Sequence, residues 1–249
     1  MTKLKEYFLN ERKEFSQSIG KAEYASWWLV RLCMVGAIIY RRIKEPGDFA
    51  VFIMSANLLA TFSIPLARMI FFKKIFLGKL PFRIQSLINV FVFFGSFLGH
   101  GFKLNGIVEN YDKLIHILSG AFVVFIGYEL LMSLKNADRS PTAVIVSGAV
   151  GFSFAIMVLW EIFEFFFDYY IEGSQNQDYN WTPSDRIVFF KIFGRSVNEP
   201  DIFSVMDTNM DLMCGALGCV IGAAILAVYL NVRKKKNSAN EKETVSAAA

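Results

Sequence analysis

Six ionisable residues lie at helical spacing near the ends of three long apolar segments. They form three pairs: Asp112 and His116, Glu161 and Glu164, and Asp207 and Asp211. Residues three or four apart share one face of a helix, so each pair makes a short stripe. Ionisable groups in a membrane helix cost free energy unless something pairs or uses them. The three pairs are therefore candidates for function.

The chemistry that these residue types favour is cation binding. So many carboxylates cannot all stay ionised together unless a metal ion or a basic group lies among them, or some are protonated. Carboxylate oxygens with one imidazole suit Mg²⁺, Mn²⁺ or Ca²⁺, and Zn²⁺ is a further option. Such an ion could polarise a phosphoryl or ester group and activate water. We predict that all six residues are metal ligands, and that Asp112, His116, Glu161 and Glu164 are catalytic.

A structural interpretation competes with this one. A single acid or His at a membrane border is usually solvated by headgroups and water, and Glu129 and His100 fit that description. Lys113, next to Asp112, could neutralise a neighbouring carboxylate or face a lipid phosphate. Pairs that match in face and depth on three helices are harder to explain as solvation alone.

The composition indicates a polytopic membrane protein. Hydrophobic residues make up 54% of the 249, charged residues only 19%, and the apolar residues come in blocks of about 20. We predict an all-α transmembrane bundle of about six spans, in a bacterial plasma membrane, with no nucleic-acid partner. The predicted spans are Trp27–Tyr40, Phe49–Phe72 interrupted by Pro65, Ile84–Gly99, Leu114–Leu134, Ala143–Phe167 and Met206–Leu230.

The distribution of basic residues predicts the orientation. With six spans, 17 of the Lys and Arg residues fall on the side of the termini and eight on the other, with Arg31 inside the first span. The positive-inside rule then places both termini in the cytoplasm. At about 1.5 Å of rise per residue, the three pairs lie roughly 28 to 30 Å from the cytoplasmic helix ends. They therefore share one depth, near the outer edge of the hydrocarbon.

The chain divides into a central membrane domain and two flanking segments. Residues 1–25 mix basic and aromatic residues and predict a cytoplasmic amphipathic helix near the membrane surface. Residues 26–232 hold the six spans and an extracytoplasmic loop at 168–202. Residues 233–249 predict a basic cytoplasmic tail without regular structure. Small residues Gly215, Gly218 and Gly222 on the last span, and Gly148 and Gly151 on the fifth, would permit close helix packing.

The polar residues resemble those of a known family. Tyr111-Asp112 with His116, Trp160-Glu161 with Glu164, and Asp207-Thr208-x-x-Asp211 with Gly215 are similar to the uncharacterised YjdF-like bacterial membrane proteins. Asp112-Lys113-x-x-His116 also resembles the more distant VanZ-like proteins, which are linked to glycopeptide tolerance. Glu164 replaces the usual VanZ-like Gln and Asp211 the usual Asn, which departs from that pattern.

Three functions are consistent with the sequence. The first is metal-assisted hydrolysis or transfer on a lipid-linked or envelope substrate that enters from the outer leaflet. The second is a transporter or ion-coupled permease, which a polar path through Asn57, Asn89 and Glu129 would favour. The third is a non-catalytic membrane factor that binds an envelope precursor. Membrane lipids are expected partners in all three.

Overall fold

The computed structural model describes residues 3–134, 139–170 and 200–248, and within those ranges it contains helices and no strand. This confirms the predicted all-α fold. The elements are α1 (Lys3–Ser18), α2 (Lys21–Lys44), α3 (Phe49–Ala60), α4 (Ser63–Phe71), α5 (Phe76–Lys79), α6 (Phe82–Val92) continued by a π-helix (Phe93–Gly101), α7 (Leu104–Ile107), α8 (Tyr111–Met132), α9 (Thr142–Tyr170) and α10 (Pro200–Ala248).

The helices include enough apolar length for a multi-pass membrane protein. Among the described residues, five helices are long and apolar enough to cross a bilayer, and α3 with α4 makes a sixth if that bent pair is one span. The first span is longer than predicted, because α2 covers 24 residues and includes the charged positions at its ends. Much of the predicted loop at 168–202 lies outside the described residues.

Two compact units make up the chain. The first contains α1 to α7, and the second contains α8 from Asp112 onward together with α9 and α10. The last helix continues through Ala248, whereas the sequence favoured a tail without regular structure. Lys, Glu and Ala are frequent after Arg233, and these residues are strong helix formers.

The second predicted span is broken at Thr61, before the proline that the sequence pointed to. Pro65 has no N–H to offer to the carbonyl four residues earlier, and its ring clashes with that carbonyl. The carbonyl is that of Thr61, where α3 ends and the chain bends by 55° into α4. Pro65 itself is tolerated because it lies in the first turn of α4, where backbone N–H groups have no helical partner.

Buried polar side chains of the first unit form hydrogen bonds to the backbone groups at the break between α3 and α4. Arg31 donates from Nη2 to the Thr61 carbonyl and lies over the Phe62 ring, with Cζ 3.9 Å from its centroid. Gln85 accepts from the Ile64 N–H at 3.0 Å and donates to the Ala60 carbonyl at 3.1 Å. These contacts replace the helical hydrogen bonds that are missing at the break, which explains why the charged Arg31 lies inside the first span.

Glycines in the second unit allow backbones to touch. A Cβ at Gly218 would collide with the Ile117 carbonyl of α8, and one at Gly222 would lie 2.9 Å from the Ala121 carbonyl oxygen. The predicted close-packing role of the α10 glycines is thus confirmed. The prediction was wrong for Gly151, which has nothing within 4 Å of a Cβ position. The close contacts bring α8 and α10 together along the face that carries the acidic residues.

Candidate functional site

The three predicted pairs meet within the second unit. Asp112 and His116 lie in the first two turns of α8, and Glu161 and Glu164 lie in the last three turns of α9. Asp207 and Asp211 begin the apolar part of α10. Four of the six side chains are buried: His116, Glu161, Asp207 and Asp211. All three helices therefore contribute to one acidic cluster, as the sequence predicted.

Lys113 lies at the centre of the aspartates. Its Nζ is 2.6 Å from Asp211 Oδ1 and 3.0 Å from Asp112 Oδ2, and it also donates to Asp207 Oδ1. Lys113 is buried like the two aspartates of α10. Three carboxylates around one ammonium compensate for the desolvation that each of these charges would otherwise suffer. Of the two roles that the sequence left open for Lys113, neutralising a neighbour is the one that the structure shows.

His116 lies between the aspartates and the glutamates. Its Nε2 is 3.6 Å from Asp112 Oδ1 and 3.6 Å from Asp211 Oδ1. Its Nδ1 is 3.8 Å from Glu161 Oε1. These distances exceed those of hydrogen bonds. The imidazole thus has carboxylates near both of its nitrogens.

Two overlapping groups have a geometry that could hold a metal ion. Ligand atoms of Asp112, His116 and Asp211 lie within 4.8 Å of one another, and so do those of His116, Glu161 and Glu164. His116 belongs to both groups. The first group shares Asp112 and Asp211 with Lys113, whereas Asp207 belongs to neither group among the residues that the structure describes.

The cluster opens toward one side. The Asp112 side chain is 51% exposed and Glu164 is half-buried, whereas Asp207 and Asp211 are almost fully buried. Glu164 also accepts a hydrogen bond of 2.7 Å from the indole of Trp160, a largely exposed side chain. Within the described part of the chain, Asp112 and Glu164 are therefore the most accessible carboxylates of the cluster.

Exposed aromatic residues surround this end of α9. Trp160 is followed along the helix by further exposed rings: Phe163, Phe165, Phe166, Tyr169 and Tyr170. Trp and Tyr concentrate where membrane hydrocarbon meets water, because their rings are apolar and their tips polar. Exposed rings of this kind are typical of a helix end at the membrane border, and the depth of the cluster stays a prediction.

Sequence reasoning did not include Lys113 among the site residues, although a signal was present. Lys113, His116 and Gly120 are spaced i, i+3 and i+7 and therefore share a face of α8. A Cβ at Gly120 would collide with the Gly215 carbonyl of α10, so this face is the one that packs against the acidic helix. The spacing of Gly120 relative to Lys113 and His116 would have placed Lys113 in the cluster.

Comparison with known proteins identifies a family. The family model described as "Predicted membrane protein (DUF2238)" matches residues 26–232, and so includes all six of the predicted site residues. No curated protein and no solved structure matches the chain. The match confirms the expectation of a family of membrane proteins without an assigned activity.

Proposed function

The chain belongs to the DUF2238 family of predicted membrane proteins, and we propose that it binds a divalent cation in the acidic cluster. The cation supports hydrolysis or group transfer on a lipid-linked envelope substrate at the outer border of the membrane. The YjdF-like and VanZ-like resemblances involve the same residues and support the site, not a particular reaction.

The observation that carries this proposal is the charge balance. The cluster holds five carboxylates, those of Asp112, Glu161, Glu164, Asp207 and Asp211. Lys113 supplies one positive charge, and a His116 that ligates a metal ion is neutral and supplies none. A divalent cation would offset half of the excess negative charge, and Mg²⁺ or Mn²⁺ accepts this mixture of oxygen and imidazole ligands.

The position of the cluster favours a substrate held in the membrane. Its accessible members lie beside the exposed aromatic end of α9, where the headgroups of lipids would be. A lipid-linked substrate could place its phosphoryl or ester group there while its acyl or prenyl chain remains in the bilayer. A bound cation would polarise that group, and one carboxylate would serve as the general base toward water.

The test is hydrolysis by the purified chain in lipid nanodiscs. Prenyl pyrophosphate, phosphatidic acid and a carboxylic ester lipid would be supplied with Mg²⁺ or Mn²⁺, and the release of phosphate or fatty acid would be measured. We expect turnover that EDTA abolishes and that Glu161→Gln reduces at least a hundredfold. Glu109→Gln is the matched control, because Glu109 is an exposed carboxylate three residues before Asp112. Turnover that is unaffected by Glu161→Gln would contradict the proposal.

The ion pairs of Lys113 favour ion-coupled transport as a second candidate. Buried Lys–Asp contacts inside membrane segments occur in proteins that move protons or cations, where binding of the ion breaks the pair. Proteoliposomes loaded with a pH-sensitive dye would distinguish the two functions. A proton or Na⁺ flux that depends on Lys113, without hydrolysis of any lipid, would favour transport.

A further inference from the structure

The two nitrogens of His116 divide the cluster into two sides. The Nε2 side contains Asp112 and Asp211, and the Nδ1 side contains Glu161 with Glu164 nearby. Each side has the ligand types for a cation. Among the described contacts, Lys113 lies on the Nε2 side.

A cation already occupies the Nε2 side. The Asp211 Oδ1 atom that faces His116 Nε2 is the same atom that accepts from Lys113 Nζ at 2.6 Å. The other oxygen of Asp112 also contacts this ammonium, at 3.0 Å. A metal ion bound between Nε2 and Asp211 would have to displace Lys113 or lie very close to its charge, and either arrangement is unfavourable.

The Nδ1 side has two carboxylates that could ligate a metal ion together with His116, and the carboxylates on the Nε2 side could orient the ring. A His that ligates a metal through one nitrogen commonly donates the N–H of the other to a carboxylate, which fixes the ring and makes it a better ligand. Asp112 and Asp211 are placed to accept from Nε2 after a small shift of the ring. Glu164 accepts only a neutral indole N–H among the hydrogen bonds described, which adds no positive charge near the ligands.

We propose that the cation binds on the Nδ1 side, with His116, Glu161 and Glu164 as its protein ligands, and that Lys113 acts as a permanent internal cation on the other side. This assignment rests on the proposed function and makes it more specific. Asp112 and Asp211 then position the imidazole, and Asp207 holds Lys113 without ligating the metal. One ion binds per chain because Lys113 blocks the second position.

The experiment is a Mn²⁺ titration of the full chain in detergent, with free Mn²⁺ followed by electron paramagnetic resonance. We expect one ion per chain in the wild type and an affinity at least a hundredfold weaker in Glu164→Gln. Asp211→Asn should keep one ion with an affinity about tenfold weaker, as is typical for the loss of an outer partner. Asp207→Asn should remain within a few fold of the wild type.

Lys113→Met gives an independent readout, because a second ion can then take the place of the ammonium among the carboxylates of Asp112, Asp207 and Asp211, and the number of bound ions should rise from one to two. If Asp211→Asn fails to fold, the double variant Lys113→Met/Asp211→Asn removes both partners of the buried pair and should retain one ion. Loss of Mn²⁺ in Asp211→Asn with retention in Glu164→Gln would overturn the assignment while leaving cation binding intact. A wild-type protein that binds no Mn²⁺ would overturn both the assignment and the proposed function.

Discussion

The two units of the chain both bury polar side chains, but for different reasons. In the first unit Arg31 and Gln85 form hydrogen bonds to backbone groups around the break between α3 and α4. In the second unit α8 to α10 are continuous, and their buried charges contact one another. Polar residues that form hydrogen bonds to backbone groups at a helix break are explained by the fold alone. Carboxylates that converge from intact helices, with more negative than positive charge, are not explained by backbone hydrogen bonding and are consistent with the proposed cation.

The largest effect should come from removing the internal cation of the second unit. Lys113→Met leaves Asp207 and Asp211 buried without their ammonium, and breaking a buried pair in this way costs about 3 to 5 kcal/mol. We expect a large fall in the melting temperature in EDTA, measured in detergent, and partial recovery in Mn²⁺. The triple variant that also carries Asp207→Asn and Asp211→Asn should recover stability without metal. A melting temperature unchanged in Lys113→Met would show that the ion pairs contribute little.

A slightly smaller effect is expected where the helices of the second unit touch. Gly218→Ala places a Cβ against the Ile117 carbonyl, and such overpacking costs about 1 to 3 kcal/mol. It should also weaken Mn²⁺ binding, since it separates α8 from α10. Gly151→Ala is the matched control, because its Cβ meets open space and Ala is the better helix former. Equal melting temperatures for the two variants would contradict the close packing.

In the first unit we expect the effects of substituting Arg31 and Pro65 on the free energy of unfolding to be coupled. Arg31→Met leaves the Thr61 carbonyl without its donor, at a cost of about 1 to 3 kcal/mol. Pro65→Ala supplies an N–H that can bond this carbonyl. Arg31→Met should therefore cost about 1 kcal/mol less in a Pro65→Ala background than in the wild type. Denaturation of the four proteins of this cycle measures the coupling, and strictly additive effects would contradict the account of the break.

These two regions also show what the sequence could predict. The three acidic pairs were found because helical periodicity is local, and their common depth followed from counting residues along each span. The repair of Thr61 could not be found in that way. The break as a whole depends on Arg31, which lies 30 residues from Thr61, and on Gln85, which bonds Ala60 and Ile64 from 25 and 21 residues away. The central position of Lys113 depends in the same way on which face of α8 packs against α10.

The smallest predicted effect concerns α1, which ion pairs hold against other residues of the first unit. Glu14 Oε1 is 2.8 Å from Arg68 Nη1, and Glu14 Oε2 is 2.8 Å from Lys73 Nζ. Burial opposes ionisation of Glu14, but hydrogen bonds from Lys73 and Arg68 outweigh it and hold the pKa of this carboxyl below its ordinary value of 4.5.

A lowered pKa means that the anchoring is present above about pH 4.5 and is lost as the pH falls through the folded-state value. The difference in melting temperature between the wild type and Glu14→Gln should therefore be greatest near neutral pH and shrink under acid conditions. Glu6→Gln, an exposed position on the same helix, should show little difference at any pH. A difference that grows on acidification would contradict the anchoring role.

The binding of a divalent cation by the second unit is tested most directly by counting Mn²⁺ ions on the purified wild-type chain and on His116→Ala. His116 belongs to both groups that could hold an ion, so its loss should remove binding wherever the ion lies. We predict one Mn²⁺ per wild-type chain, none at the same concentration for folded His116→Ala, and one for the Glu109→Gln control. The same number of ions on the wild type and His116→Ala, or none on the wild type at saturating Mn²⁺, would contradict the account.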